Sequence, residues 1–168
     1  MGGWGMYCLA GECTSGLTAI ERALALNPNF AFGWNLYGWG QSFCNRPDLA
    51  IDAMVRAVRL SPLDPQRWAF YGGLALAHLV ARRHEEAVQW GDKASDEPLS
   101  DWTVVTFKAA ACGHLGRVEA GRECVRRLGE LRPSLTIASL EAMVAPIVLP
   151  EVLRHWVEGL RKAGLPEE

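Results

Sequence analysis

The sequence predicts an all-α protein, an array of antiparallel helix pairs (an α-solenoid) that ends in a C-terminal capping helix. Four helix-like segments end at prolines, Pro28, Pro62, Pro98 and Pro133, which are 34, 36 and 35 residues apart. Proline cannot continue a helix and restricts the residue before it. Small residues also recur at matching places between these stops. The near-constant spacing indicates one helix–turn–helix unit copied along the chain.

The units are predicted to follow one another through residues 1–133. A partial pair, 1–28, comes first and has "GLTAIERALAL" as its second helix. Three full pairs are predicted at about 31–62, 66–97 and 101–132. The segments "NRPD", "ARRHE" and "LGRVE" are polar or contain helix breakers, so they are predicted to be the turns inside the three pairs.

Small residues stand where the two helices of each pair must cross. The predicted crossing partners are Gly38 with Ala50, Ala75 with Ala87, and Ala109 with Gly121. A larger side chain at Gly38 is therefore expected to destabilise the fold by overpacking. Its neighbours Trp34 and Tyr37 are assigned to the same packing seam, whereas Trp39 is predicted to point toward a partner.

The pattern changes in residues 134–168. "SLTIASLEAMVAPIVLP" predicts a short apolar helix followed by an extended segment. "EVLRHWVEGLRKAG" then has apolar residues at helical spacing, Glu151 in its first turn, and Arg161 and Lys162 in its last. These charges suit the helix dipole, and Gly164 suits a C-terminal cap. Because a repeat array needs a polar outer face at its end, this helix is predicted to be the cap.

Composition excludes several classes of function. The formal net charge is −2, with acidic and basic residues interspersed, so no basic surface for nucleic acid or an anionic membrane is predicted. No apolar run approaches the roughly eighteen residues of a membrane span. The five cysteines are an odd number without a CxxC pair, which favours buried thiols in a reducing cytoplasm. "MYCLAGEC" lacks the basic residues of a secretory start.

No catalytic, cofactor or metal site is predicted. His78, His84, His114 and His155 show neither HExxH nor His-x3-His spacing, so they are expected to be solvated or to lie at the edge of a groove. Cys112 lies near His114, but residues two apart point to different helix faces, which favours a small buried thiol. Neither a phosphate-binding glycine pattern nor a GxSxG elbow occurs. The chain is therefore predicted not to be an enzyme.

Several segments resemble a known repeat family. "WNLYG" fits the tetratricopeptide pattern W-x-x-L-G with Tyr37 in place of leucine. Together with "ERALALNPNFAFGWNLYGW", "AVRLSPLDPQ", "ARRHEEAVQWGDKA" and "EGLRKAGLPEE", it is similar to the C-terminal tetratricopeptide repeats of bacterial proteins labelled adenylate or guanylate cyclases and of winged-helix regulators. The resemblance implies a right-handed superhelix that acts as a protein-binding scaffold. It does not imply cyclase activity, since no strand-rich catalytic region is predicted.

The same resemblance implies that the first helix of each pair lines a concave groove. The groove residues predicted to contact a partner are Phe32, Asn35, Trp39, Phe43, Leu76, Leu79, Thr106 and His114. This surface is mainly apolar. In some relatives a clamp of lysine and asparagine residues holds the carboxylate of a bound peptide, and here only Asn35 matches that clamp.

The leading hypothesis is a non-enzymatic interaction scaffold, a regulatory or sensory arm that binds a protein or an apolar peptide. Two other occupants of the groove stay open: the chain's own "TIASLEAMVAPIVLP" and a second copy of the chain. A small-ligand pocket or an enzyme is the remaining alternative.

Overall fold

The computed structural model describes residues 15–168, and all regular structure in that range is α-helical. The helices are α1 (Ser15–Leu26), α2 (Ala31–Phe43), α3 (Pro47–Leu60), α4 (Arg67–Val80), α5 (His84–Ser95), α6 (Trp102–His114), α7 (Val118–Leu131), α8 (Ile137–Val144) and α9 (Pro150–Ala163). The first helix of the predicted partial pair lies outside the described residues. Within them, no helix combines the length and the apolar character needed to cross a membrane.

The helices α2 to α7 form three antiparallel pairs with the same turn inside each pair. In each turn one residue adopts the left-handed conformation: Asn45 (φ 54°), Arg82 (φ 60°) and Gly116 (φ 69°). The next backbone N–H then donates to a carbonyl in the last turn of the first helix, at 2.8, 2.9 and 3.0 Å in the three pairs. This bond satisfies a carbonyl that the helix end would leave unpaired. The pairs are thus copies of one unit at the level of backbone geometry.

Small residues allow the helices to approach closely. Gly38 is buried, and a Cβ placed there would lie 2.8 Å from Met54 Cε and 3.1 Å from the Ala50 carbonyl oxygen. Ala75, Ala87 and Ala109, at other predicted crossing positions, are fully buried. At Gly121 the nearest atoms to a Cβ belong to Ala163 of α9 rather than to α6. That glycine therefore accommodates the C-terminal helix.

The C-terminal region is closed on itself. Thr136 and Ser139 form a capping box at the start of α8, and the α8 residues Ile137 and Ala138 donate backbone hydrogen bonds to the Pro166 and Glu167 carbonyls after α9. Pro150, which the sequence predicts to end an extended segment, instead begins α9. As the sequence predicts, Glu151 stands in the first turn of α9, Arg161 and Lys162 stand in the last, and Gly164 follows at φ 97° as a left-handed cap. These local features end the helix where the sequence places its end.

Helix α9 covers more of the array than its last pair. The Leu149 N–H, just before α9, donates to the Phe43 carbonyl at the end of α2 (3.0 Å). The side chain of Asn45, in the turn after α2, donates to Glu151 (2.8 Å). Near its other end α9 approaches α6 and α7, where a Cβ at Gly121 would be 3.2 Å from Ala163 Cβ. The helix therefore spans the array from the first complete pair to the third.

Candidate functional site: the first-helix surface and its C-terminal helix

The first helices of the pairs, α2, α4 and α6, form a surface on which α9 lies; we call it the first-helix surface. The eight residues predicted for partner binding divide into two groups on it. The buried ones are Asn35, Phe43, Leu76, Leu79 and Thr106. The half-buried ones are Phe32, Trp39 and His114. Contact with a partner stays a prediction for all eight, and for the buried group it requires part of the chain to move away.

Trp39 joins three helices of the array. Its indole N–H donates to Asn35 Oδ1 (3.1 Å) and to the Ala69 carbonyl of α4 (3.3 Å). Its ring packs at centroid distances of 5.9 Å from Phe43 and 5.8 Å from Phe107 of α6. The side-chain oxygen of Asn35 therefore already accepts a hydrogen bond within the chain, and most of the Trp39 ring already packs within it. Only the remaining exposed edge of Trp39 faces outward.

Trp34 and Tyr37 pack at the junction of α1, α2 and α3. The Trp34 indole donates to the Pro28 carbonyl (2.9 Å), and Arg56 of α3 lies 4.2 Å above its ring. Tyr37 meets Trp34 edge-on at 6.1 Å and bonds Glu21 of α1 (3.3 Å). Burial is the main cause that raises the Tyr37 pKa. These contacts confirm the structural role predicted for the two rings.

The occupant of the first-helix surface is an amphipathic helix from the same chain. The buried α9 residues Val152, Trp156 and Leu160 face the array, whereas Arg154 and Glu158 are exposed. The Trp156 ring packs 4.9 Å from Phe107 of α6. Val144 and Val148 of the segment "TIASLEAMVAPIVLP" also enter this core. The helix that lies along the surface, however, is α9, which the sequence predicts only as a cap.

Close backbone approach explains why α9 docks there. A Cβ added at Gly159 would collide with the Ala110 backbone, and one added at Gly113 would collide with the Gly159 carbonyl oxygen. The two helices can meet only because both present small residues at the crossing. Glycine is useful where backbones approach this closely.

Three histidines meet at the junction of α5, α6 and α9. His84 begins α5, His114 ends α6, and His155 lies within α9. Their rings stack, with centroids 4.1 Å apart for His114–His155 and 4.7 Å for His84–His114. Burial, followed by the neighbouring His114 and Arg82, lowers the pKa of His155 to about 4. Burial likewise lowers the pKa of His84.

This cluster departs from the sequence expectation. His155 is only 8% exposed, so it is neither solvated nor at a groove edge. His78, half-buried on α4, is not part of the cluster. The signal is hard to find in the sequence because 30 residues separate His84 from His114 and 41 more separate His114 from His155. Short-range spacing rules therefore miss it.

Cys112 and Cys124 are free thiols that face each other across the α6–α7 interface. Both thiols are buried. The hydrogen bond between them lowers the pKa of Cys112 and, with burial, raises the pKa of Cys124. Because neither sulfur faces a surface open to a substrate, the arrangement supports the packing role that the sequence predicts for Cys112.

Comparison with known proteins agrees with this architecture. A sequence profile of the tetratricopeptide repeat family matches residues 45–98, which hold α3, α4 and α5. A solved structure titled "Crystal structure of MamA" superposes with a TM-score of 0.64 at 15% identity, covering 90% of this chain and 86% of that chain. No curated protein sequence matches. The profile match and this superposition give the chain the fold of a tetratricopeptide-like α-solenoid.

Proposed function

We propose that this chain is a non-enzymatic protein-interaction scaffold that binds a protein or peptide on its first-helix surface. The observation that supports this most directly is α9 itself. It packs along α6 as an amphipathic helix, with Trp156 against Phe107, and the residue before it reaches the end of α2. Helix-in-groove binding is a recurring mode of peptide recognition. The resident helix therefore indicates what kind of ligand the surface accepts.

The partner is expected to engage the part of the surface that α9 leaves open. Phe32 and Trp39 on α2 are half-buried, whereas Leu76, Leu79 and Thr106 lie in the core that α9 helps to close. An apolar or amphipathic helix that packs along α2 would continue along the first-helix surface from the point where α9 begins. A regulatory or sensory role, a link to cyclase-type or winged-helix proteins, and a cytoplasmic location belong to the same proposal and rest on the sequence alone.

Site-specific photocrosslinking tests the location. A photoreactive phenylalanine analogue replaces Phe32 in the full chain, and the control carries it at Leu49, which is 48% exposed on α3. We expect cross-links to another protein from position 32 that are absent from position 49. Equal labelling from both positions, or none from position 32, would contradict the proposed surface.

A second copy of the chain is the alternative partner, and exposed apolar residues favour it. Leu26 is 89% and Phe30 40% exposed, and the Phe30 ring lies 6.5 Å from that of Phe32. Exposed clustered apolar residues commonly mark contact surfaces. Light scattering tests this alternative: a dimer that Leu26→Glu dissociates supports self-association, whereas a concentration-independent monomer rules it out.

A further inference from the structure

The fold brings three imidazoles together from three separate helices. His84 Nε2 and His155 Nε2 lie 3.1 Å apart. One ring nitrogen from each of His84, His114 and His155 lies within 4.8 Å of the others. The cluster sits at the N-terminal end of α5 and the C-terminal end of α6, against the middle of α9. Three imidazole nitrogens at this separation are close enough to share one ion.

The hydrogen bonding of His114 suits a ligand. Its Nε2–H can donate to the His155 backbone carbonyl, at 2.8 Å, which leaves Nδ1 with a free lone pair. Metal-binding histidines commonly use one ring nitrogen for the metal and donate the other N–H to a carbonyl or carboxylate. The His84–His155 contact requires a proton between the two Nε2 atoms, and a metal ion would take the place of that proton.

The chemistry of the donors selects the ion. Imidazole binds metals in its neutral form, and burial lowers the pKa of both His84 and His155, which favours that form. Imidazole suits zinc and other late first-row divalent ions, whereas Mg²⁺ and Ca²⁺ prefer oxygen ligands. Arg82 and Lys162 place positive charge near His84. Glu158 places negative charge near His155.

We propose that His84, His114 and His155 form a binding site for one divalent ion of the zinc type, and that the bound ion joins α9 to α5 and α6. Tetrahedral zinc with Zn–N bonds of about 2.0–2.1 Å separates its nitrogen ligands by roughly 3.3 Å, close to the existing His84–His155 distance. The His114 ring turns out of its stack so that its lone pair converges with the other two. The fourth position is left for water or an outside ligand.

Cobalt titration of the tag-free, metal-free full chain tests the site. We expect one Co²⁺ per chain, visible in the d–d absorption, with no thiolate charge-transfer band, and displacement by Zn²⁺. The absent thiolate band distinguishes the site from coordination by Cys112 and Cys124. His84→Gln should weaken the affinity at least about tenfold, since loss of even an outer-shell partner costs that much. The matched control His78→Gln should bind like the parent.

A second readout separates binding from damage to the fold. Zn²⁺ should raise the thermal midpoint of the parent and of His78→Gln, and it should leave the midpoints of His84→Gln and His114→Gln unchanged while their circular dichroism matches the parent. If the parent binds neither Co²⁺ nor Zn²⁺, or if folded His84→Gln and His114→Gln bind as tightly as the parent, the proposal is wrong.

Discussion

Single glycines decide how closely the helices of this array can pack. At Gly38 a Cβ would meet Met54 and the Ala50 carbonyl, whereas at Gly129 on α7 it would meet nothing within 4 Å. Gly38→Leu should therefore lower the free energy of unfolding by about 1–3 kcal/mol or more through overpacking. Gly129→Ala should raise it by roughly 0.5–1 kcal/mol because alanine favours the helix.

Urea denaturation of both variants checks this pair. The comparison uses the urea concentration at the midpoint of unfolding. A shift in this midpoint with no change in the slope of the free energy against urea reports a change in stability rather than a change in the unfolded chain. If Gly38→Leu unfolds at the parent's midpoint, the register of the α2–α3 crossing is wrong.

The individual aromatic residues show what sequence patterns can and cannot predict. Trp34 and Tyr37 follow the repeat pattern, and their packing at the α1–α2–α3 junction could be predicted from it. Trp39 stands one position further round α2, and its exposure depends on Ala69 and Phe107, which lie 30 and 68 residues away. Repeat position specifies the face of a helix, but the neighbours that cover that face are fixed only by the folded chain.

At the scale of helices, the docking of α9 depends on Gly159. Any side chain at this position meets the Ala110 backbone, which belongs to α6 and cannot move aside as a flexible side chain could. Gly159→Val should therefore release α9, with amide hydrogen exchange across residues 150–163 rising at least about tenfold, the equivalent of 1.4 kcal/mol of overpacking.

The control for this change is Arg154→Val, which places the same β-branched residue on the exposed face of α9. Its exchange should stay close to that of the parent, since a valine on a helix surface costs only a few tenths of a kcal/mol. Equal exchange in the two variants would mean that helix propensity, rather than the α6–α9 crossing, controls α9.

Element boundaries were more predictable than element positions. The helices of the first full pair, Ala31–Phe43 and Pro47–Leu60, lie inside the predicted range 31–62, because prolines and polar turns act on their immediate neighbours. The path of α9 could not be predicted in this way. It depends on small residues that meet across two helices, such as Ala110 and Gly159. The histidine cluster follows from that same path, since only a docked α9 brings His155 to the others.

For the whole molecule, α9 connects elements that a simple repeat array keeps apart. In an open solenoid each repeat contacts only its neighbours, so stability is a sum of local terms and the ends can unfold separately. Here the start of α9 is hydrogen-bonded to Phe43 at the end of α2 and to Asn45 in the turn after it, while Gly159 and Ala163 lie against α6 and α7. The first and third pairs are thereby coupled through one helix, and unfolding should be more cooperative than in an open array.

Native-state hydrogen exchange in increasing urea measures this coupling. In the parent, the slowest amides of α2, α4 and α6 should converge on one free energy of opening, because the three helices unfold together. In Gly159→Val, where α9 is released, the α2 amides should open at a lower free energy than those of α4, since α2 then keeps only its repeat neighbours. If α2 already opens independently of α6 in the parent, the coupling is wrong. The hydrogen bonds of Phe43 and Asn45 to the start of α9 would then add no stability to α2, and α9 would stabilise the last pair alone.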